Sequence, residues 1–316
     1  MSLSGVDAKI QSDINALTTS STFIEIARVA SAAAISDGSF DRSNLFRVIG
    51  VVAKTAANPT DRALITTAQK LCCNITPKVW GHGNVNLIAG DMWAGYFGEV
   101  ASTVLFNGDD LATELGVDQG VLQNGDAGWL KFAWRGQIIY IAKRTFMHSV
   151  SWEHLYARGI VYGTDDNGLY PRGTATNQYT TVTKDNFGYL VDLMTGAAAD
   201  PIDTTLRGEA YSSTLGLGAG SMWNELMYRV HVDVPVAPNG LTFDGGAQTG
   251  DNWAAFTGAD LNITGNGRAF WCQETASESL SLRVHRGYSG LSSFYVNTAS
   301  ASNTFHGWRP RLVLKS

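Results

Sequence analysis

The sequence predicts an α+β fold in which a helical N-terminal segment, residues 1–76, is followed by a β-rich region with long loops. Within the first segment, apolar residues recur every three or four positions, as at Val6, Ile10, Ile14 and Leu17. Beyond it, apolar residues alternate with polar ones or form short runs bounded by glycine and asparagine. The period of the apolar pattern therefore changes from helical to strand-like along the chain.

Four helices are predicted in the N-terminal segment. Residues 6–17, 23–34 and 45–52 carry the first three apolar stripes, and Asn58 followed by Pro59 is a typical helix start for the fourth. Such stripes can pack on each other as a small helical domain, or on copies of themselves in an oligomer. Both alternatives are open from the sequence.

Residues 77–165 predict a β-rich middle region. Its clearest element is a hairpin, in which residues 129–134 and 137–143 are strands joined by the two-residue turn Arg135-Gly136. One short helix is expected before this hairpin, at residues 111–115, and one after it, at residues 152–158.

Short strands separated by long polar loops are predicted in residues 166–316. The expected strands span 179–182, 189–193, 226–234, 268–271, 281–286 and 309–314. Long loops on a small sheet usually carry a functional or interface role.

Composition excludes several classes of function. Charged residues make up 16% of the chain, against roughly 25% in an average domain. The net charge of −5 and the scattered basic residues argue against a nucleic-acid partner. Three cysteines, two of them adjacent, predict folding in a reducing cytoplasm. We expect no signal peptide and no membrane insertion, because neither an apolar leader nor an 18-residue apolar run is present.

No motif predicts catalysis, a metal site or a cofactor. The six histidines never fall at metal-ligand spacing, and GxSxG, HExxH and phosphate-binding glycine motifs are absent. Glu274 and Glu278 are a nearby carboxylate pair, which is weak evidence for glycoside hydrolysis and is more typical of a solvated loop. The sequence therefore favours a binding protein over an enzyme.

The segment from Gly287 to His306 is the predicted recognition surface. It is rich in small polar residues and carries aromatic rings, which suit sugar rings or protein patches at low entropic cost. Its flanks supply residues predicted to be buried scaffold: Trp271, Arg286, Trp308 and Arg309. The candidate ligand-binding residues are Trp253, Tyr288, Phe294, Tyr295, Asn297, Asn303 and His306. The alternative is that these side chains seal loops or a subunit contact.

The order of four short motifs resembles a known family. Residues 218–230, 270–273, 286–288 and 307–310 together are similar to virion structural and tail-fibre proteins of tailed bacteriophages. The C-terminal domains of those proteins look like the C-type-lectin fold in its formylglycine-generating-enzyme branch. The resemblance covers about residues 90–316. That enzyme branch uses a cysteine pair near its C-terminus, where this sequence has Cys272 alone, so the resemblance implies the scaffold without its chemistry.

The resemblance implies a bacteriophage virion protein, assembled in the host cytoplasm, that is a tail-fibre or receptor-binding component and forms a homotrimer. Residues 1–76 would dock to other virion proteins, 77–165 would form a collar, and 166–316 would be a C-type-lectin-like domain contacting a host-surface glycan or protein without catalysis. One alternative is a capsid-decorating, baseplate or other tail component whose loops mediate subunit contacts. Another is a surface-polysaccharide depolymerase.

Overall fold

Three helices form the N-terminal part of the structure, which is a computed structural model describing residues 3–35, 41, 43–52, 80–90, 94–204, 217–218, 220–232 and 252–315. The helices are α1 (Leu3–Ala16), α2 (Phe23–Ile35) and α3 (Ser43–Val52). The first three predicted helices are confirmed. The predicted fourth helix, beginning near Asn58, lies outside the described residues.

The stripes of the three helices pack on each other. Ile14, Ile26 and Leu45 are fully buried in one shared apolar cluster. A reciprocal capping pair starts α2, since the backbone N–H of Glu25 donates to Thr22 Oγ1 and the backbone N–H of Thr22 donates to the Glu25 carboxylate. The three helices thus pack on each other as a small helical unit within one chain. Their association with other copies of the chain stays a prediction.

Within the described ranges, thirteen strands, two short helices and two consecutive helical turns (Trp223–Met227 and Tyr228–Val230) follow the N-terminal helices. The helices are α4 (Gly108–Glu114) and α5 (Trp152–Ala157), whose N-caps are Asn107 and Ser151. The strands are β1 (Ala89–Gly90), β2 (Ala94–Val100), β3 (Val121–Leu122), β4 (Trp129–Trp134), β5 (Gln137–Ala142), β6 (Met147–His148), β7 (Thr181–Lys184), β8 (Phe187–Leu193), β9 (Ala269–Ala276), β10 (Ser279–Arg286), β11 (Phe294–Thr298), β12 (His306–Trp308) and β13 (Pro310–Leu314).

The strands form two sheets. The seven-stranded sheet has the order β1-β2-β4-β5-β13-β8-β7, and all its pairs are antiparallel. The six-stranded sheet has the order β11-β10-β9-β12-β6-β3, in which only the β12–β9 pair is parallel among the described strands. The predicted hairpin is confirmed as β4 and β5. The α+β class is also confirmed, with sheets dominating.

Strands from before and after residue 165 share both sheets. In the first sheet β13 lies between β5 and β8, and in the second β6 pairs with β12. Two apolar clusters draw members from both parts of the chain, with Trp129 and Trp308 in one cluster and Phe132 and Phe270 in the other. The predicted boundary between a middle region and a C-terminal domain therefore does not separate two sheets.

The strand predicted at residues 226–234 is wrong over residues 226–230, and residues 233–234 of it lie outside the described residues. A π-helical turn, Trp223–Met227, continues there into an α-helical turn, Tyr228–Val230. The apolar residues Trp223, Met227 and Val230 recur at spacings of four and three, which is a helical period. All three are fully buried.

Among the described residues, no helix is long and apolar enough to cross a membrane.

Candidate functional site

A row of contacting rings crosses the six-stranded sheet and ends at its surface. Tyr295 on β11 lies opposite His285 on β10, which lies opposite Trp271 on β9. The Tyr295 and His285 rings stack with centroids 5.9 Å apart, and Trp271 stacks on His306 of β12 at 4.4 Å. Cross-strand neighbours on one face place these rings in contact. The row changes from solvent-exposed to buried, because Tyr295 is 39% exposed while His285 and Trp271 are buried.

Four side chains form what we call the aromatic surface: Arg268, Tyr288, Tyr295 and Phe305. The Tyr288 ring meets Tyr295 edge-on at 5.5 Å and Phe305 at 4.9 Å. The Arg268 guanidinium lies over the Tyr288 ring, 4.9 Å from its centroid. Tyr295 is exposed and the other three are partly exposed. Rings locked by neighbouring rings offer contact area that is already ordered before a ligand arrives.

His306 supports this surface from below. It is fully buried and meets Phe305 edge-on at 4.5 Å. The backbone N–H of Asn303 donates to His306 Nδ1, and the Asn297 amide nitrogen lies 3.3 Å from Nε2. Asn297 is partly exposed and Asn303 is exposed. The ring of His306 is therefore a positioning group, whereas the two asparagines present polar atoms beside the aromatic surface.

The two histidines are held neutral. Burial lowers the pKa of His285 to about 3, with neighbouring His306 and Arg286 contributing in the same direction. Burial lowers the pKa of His306 to about 4. The surface consequently rests on uncharged imidazoles at neutral pH, and Arg268 is the formally charged member of the aromatic surface.

The structure brings together five of the seven predicted site residues: Tyr288, Tyr295, Asn297, Asn303 and His306. Phe294 was expected on the surface but is buried, because it adjoins Tyr295 on one strand and therefore faces the opposite side of the sheet. Trp253 was also expected on the surface. It is buried elsewhere, under the Arg229 guanidinium at 4.8 Å.

Three contributors were not predicted: Arg268, His285 and Phe305. His285 lies in β10, and Arg268 and Phe305 each lie just before a strand. These strands come together only in the folded sheet, so no pattern within a short stretch of sequence indicates that the three residues lie near Tyr288. Alternation along β10 and β11 would have placed His285 on the same face as Tyr295 once their register was known. The predicted scaffold residues Trp271, Arg286, Trp308 and Arg309 are all fully buried, as expected.

A cleft of about 250 Å³, lined by polar and apolar groups in similar measure, opens between the end of the β4–β5 hairpin, the loop after β8, and β9. We call it the acidic cleft, and its polar lining includes Arg135, Thr195, Asp200, Gln273 and Glu274, with Trp134 in the wall. Gly196 allows the loop to approach β9, since a Cβ at this position would lie 2.4 Å from Cys272 Sγ. The Gly196 backbone N–H in turn donates to the Glu274 carboxyl group at 3.0 Å.

Glu274 is buried on β9, which corrects the prediction of a solvated loop. Burial raises the pKa of Glu274 to about 8, and the neighbouring Asp200 raises it further while backbone N–H groups oppose the shift. Burial likewise raises the pKa of Asp200. Glu278 is exposed and interacts with Thr204 Oγ1, outside the cleft lining. The suggested Glu274–Glu278 pair therefore does not face one cleft.

Neither site has a metal-binding arrangement: across the described ranges, no three His, Cys, Asp or Glu side chains form a group that could hold a metal ion. The aromatic surface offers ring faces and a guanidinium, and the neighbouring Asn297 and Asn303 offer amides, which are all groups for recognition. Comparisons with protein-family models, with curated proteins and with solved structures found no match to this chain.

Proposed function

We propose that this chain is a structural protein of a tailed-bacteriophage virion, a tail-fibre or receptor-binding component that uses the aromatic surface to bind a glycan or protein on the host cell. Binding involves no catalysis. The observation that carries the proposal is the contact of Tyr288 with both Tyr295 and Phe305 under partial solvent exposure. Exposed aromatic rings of this kind are the usual anchors of recognition surfaces.

The remaining architecture is consistent with this role. The C-type-lectin-like assignment of residues 166–316 is part of the proposal, as is a homotrimer whose helices α1 to α3 dock to other virion proteins. The low charge of the chain suits packing against sibling subunits and neutral glycans. The buried His285 ring stacks on Tyr295 and is itself held by Trp271, so binding costs less side-chain freedom than it would for an isolated ring.

Binding to host cells tests this proposal. The full chain, labelled with a fluorophore, is incubated with cells of the strain on which the phage is propagated. We expect the Tyr288→Ala, Tyr295→Ala double variant to lose at least tenfold in affinity, because it removes two anchors. Tyr179→Ala is the matched control, since Tyr179 is 44% exposed and lies outside the aromatic surface. Unchanged binding by the double variant, with a native circular-dichroism spectrum, would overturn the proposal.

The alternative role as a baseplate or decoration component predicts that the same rings lie at a contact between subunits. Nitration of surface tyrosines in intact particles distinguishes the two roles. Modification of Tyr295 in the particle supports host binding. Protection of Tyr295 in the particle, together with its modification in the isolated chain, supports a subunit contact instead.

A further inference from the structure

We propose that the acidic cleft is a second binding site, independent of the aromatic surface, and that it takes one pyranose unit of a saccharide. The cleft lies against β9 and the β4–β5 hairpin, whereas the aromatic surface lies around Tyr288 and Tyr295. Strand β9 contributes to both sites through different residues: Trp271 supports the aromatic surface, and Gln273 and Glu274 line the cleft.

The size of the cleft limits its occupant. Its volume of about 250 Å³ corresponds to about eight water molecules of ~30 Å³ each. It also lies below the ~300–1,000 Å³ of sites for drug-sized ligands. A single six-membered sugar ring with its hydroxyl groups suits such a space, and longer oligosaccharides would extend past the rim.

The lining favours a ligand that both donates and accepts hydrogen bonds. One Asp200 oxygen accepts from the Thr275 N–H, and the other is an acceptor for a ligand. The Gln273 amide nitrogen donates to the Leu193 carbonyl oxygen, so this side chain offers mainly its amide oxygen, and Arg135 supplies guanidinium N–H donors. The ionisable Asp200 carboxyl group at the wall disfavours phosphate and other anions. An apolar ligand is also disfavoured, because the carboxyl groups of Asp200 and Glu274 keep one backbone donor each, the N–H groups of Thr275 and Gly196, and their remaining hydrogen-bonding capacity would be left unused. Hydroxyl groups meet these conditions, and Trp134 adds a ring to the wall.

Glu274 distinguishes this cleft from the structural charges of the interior. The buried carboxylates Asp192 and Glu225 are each bonded to an arginine. Glu274 instead accepts from the Gly196 N–H and has Asp200 as a charged neighbour. Because its pKa is about 8, Glu274 carries a proton at neutral pH and can donate it in a hydrogen bond. A protonated carboxyl beside an ionisable one gives a sugar hydroxyl both a donor and an acceptor.

Calorimetric titration of the full chain tests the proposal. The probes are the methyl glycosides of glucose, galactose, mannose and N-acetylglucosamine, whose blocked reducing ends imitate a sugar within a chain. We expect at least one probe to bind, and Ala199→Phe to weaken its binding at least tenfold by filling the cleft. Ala199 is exposed and lines the cleft, so the added ring is accommodated without disturbing the core.

Two controls locate the binding. Ala101→Phe places the same ring at another exposed alanine, outside the cleft lining, and should leave the affinity unchanged. Tyr295→Ala should also leave it unchanged, so that failure of the aromatic surface as a host-binding site is distinguished from failure of the cleft. If none of the four glycosides binds, or if Ala199→Phe binds as tightly as the wild type, the proposal is wrong.

The pH dependence of affinity gives an independent readout. As the pH rises through about 8, Glu274 loses the proton that it donates, and we expect affinity for the neutral probe to fall by about tenfold at pH 9. Glu274→Gln retains a donor and an acceptor at every pH, so it should bind at neutral pH and lose this dependence. An affinity that is constant or rises over the same pH range would contradict the role given to the Glu274 proton.

Discussion

Arg311 on β13 and Asp192 on β8 lie directly opposite each other in the seven-stranded sheet and form a two-pronged ion pair in its interior. Arg311 Nε donates to one carboxylate oxygen at 2.6 Å, and Nη2 donates to the other. Asp192 is 1% exposed and Arg311 is 8% exposed. The pair therefore fixes the register of β13 against β8 with both charges removed from water.

Asp192→Asn should destabilise the protein strongly. The change leaves the Arg311 guanidinium buried without its counter-charge, which costs about 3–5 kcal/mol of unfolding free energy. Urea denaturation followed by tryptophan fluorescence measures the loss. Asp118→Asn is the control, since Asp118 pairs with Arg158 at the surface, where solvent screens the pair and its loss should change stability little. Equal effects of the two substitutions would contradict the role given to the buried pair.

Acidification should unfold the protein through His285 and His306. Both have a folded-state pKa below the ordinary value of 6.5, so their neutral forms are favoured in the folded chain. The contribution of these two histidines to stability is complete above pH 6.5 and falls as the pH is lowered toward about 4, because the unfolded chain then binds protons that the folded chain does not bind. For His285 alone the slope approaches about 1.4 kcal/mol per pH unit.

Thermal unfolding between pH 7 and pH 4.5 checks this titration. His285→Phe keeps a ring between Tyr295 and Trp271 but cannot bind a proton, so its midpoint should fall less steeply with decreasing pH than that of the wild type. Parallel curves for the two proteins would show that His285 does not contribute.

Gly287→Ala should disturb the aromatic surface. Gly287 has φ of +89°, and a Cβ there would lie 2.4 Å from the Arg268 carbonyl oxygen, immediately before Tyr288. Gly265→Ala is the matched control, since Gly265 has φ of +80° with no atom within 4 Å of its Cβ position. The control should lose about 1–2 kcal/mol from backbone strain alone. We expect Gly287→Ala to lose more stability than the control and also to lose host-cell binding, which Gly265→Ala should retain.

Lys131→Met should stabilise the fold. The Lys131 side chain is buried between the rings of Phe97 and Tyr140 and donates to the Asn84 carbonyl oxygen, and burial lowers its pKa to about 8. Methionine fills similar volume without a charge, and we expect a gain of about 1 kcal/mol in urea denaturation at pH 7.

The alkaline behaviour of Lys131→Met provides a second check. Between pH 8 and 10.5 the unfolded wild-type chain holds a proton that the folded chain has lost, so the Lys131 contribution rises with pH. The variant should lack this rise, and its advantage over the wild type should therefore shrink in this range. A constant difference between the two proteins would contradict the pKa assignment.

Much of the fold was predictable from local patterns. The helical stripes ending in Leu17 and Val52, and the hairpin turn at Arg135-Gly136, each carry their signal within a few residues. The helical turns at Trp223–Met227 were missed because short apolar runs do not distinguish a buried strand from a buried helix. The predicted domain boundary at residue 165 was based on the composition of the loop there, and loop composition carries no information on which strands pair.

The candidate sites were predictable only in part for the same reason. Tyr288 and Tyr295 belong to one polar segment, so their grouping was visible in the sequence. Phe294 was assigned to the surface because β11 was taken for a loop, whereas strand alternation turns it inward. Asp200 and Glu274 are brought together by the loop after β8 meeting β9, a contact that no local pattern records.

The position of β13 makes the two halves of the large sheet depend on residues far apart in the chain. Arg309, just before β13, donates to the Ala142 carbonyl oxygen 167 positions earlier. If β13 were removed, β5 and β8 would each present a row of unpaired backbone groups, which is a template for intermolecular pairing. We infer that chains interrupted before residue 309 aggregate rather than persist as partly folded monomers, so β13 protects the protein from self-association as well as completing its sheet.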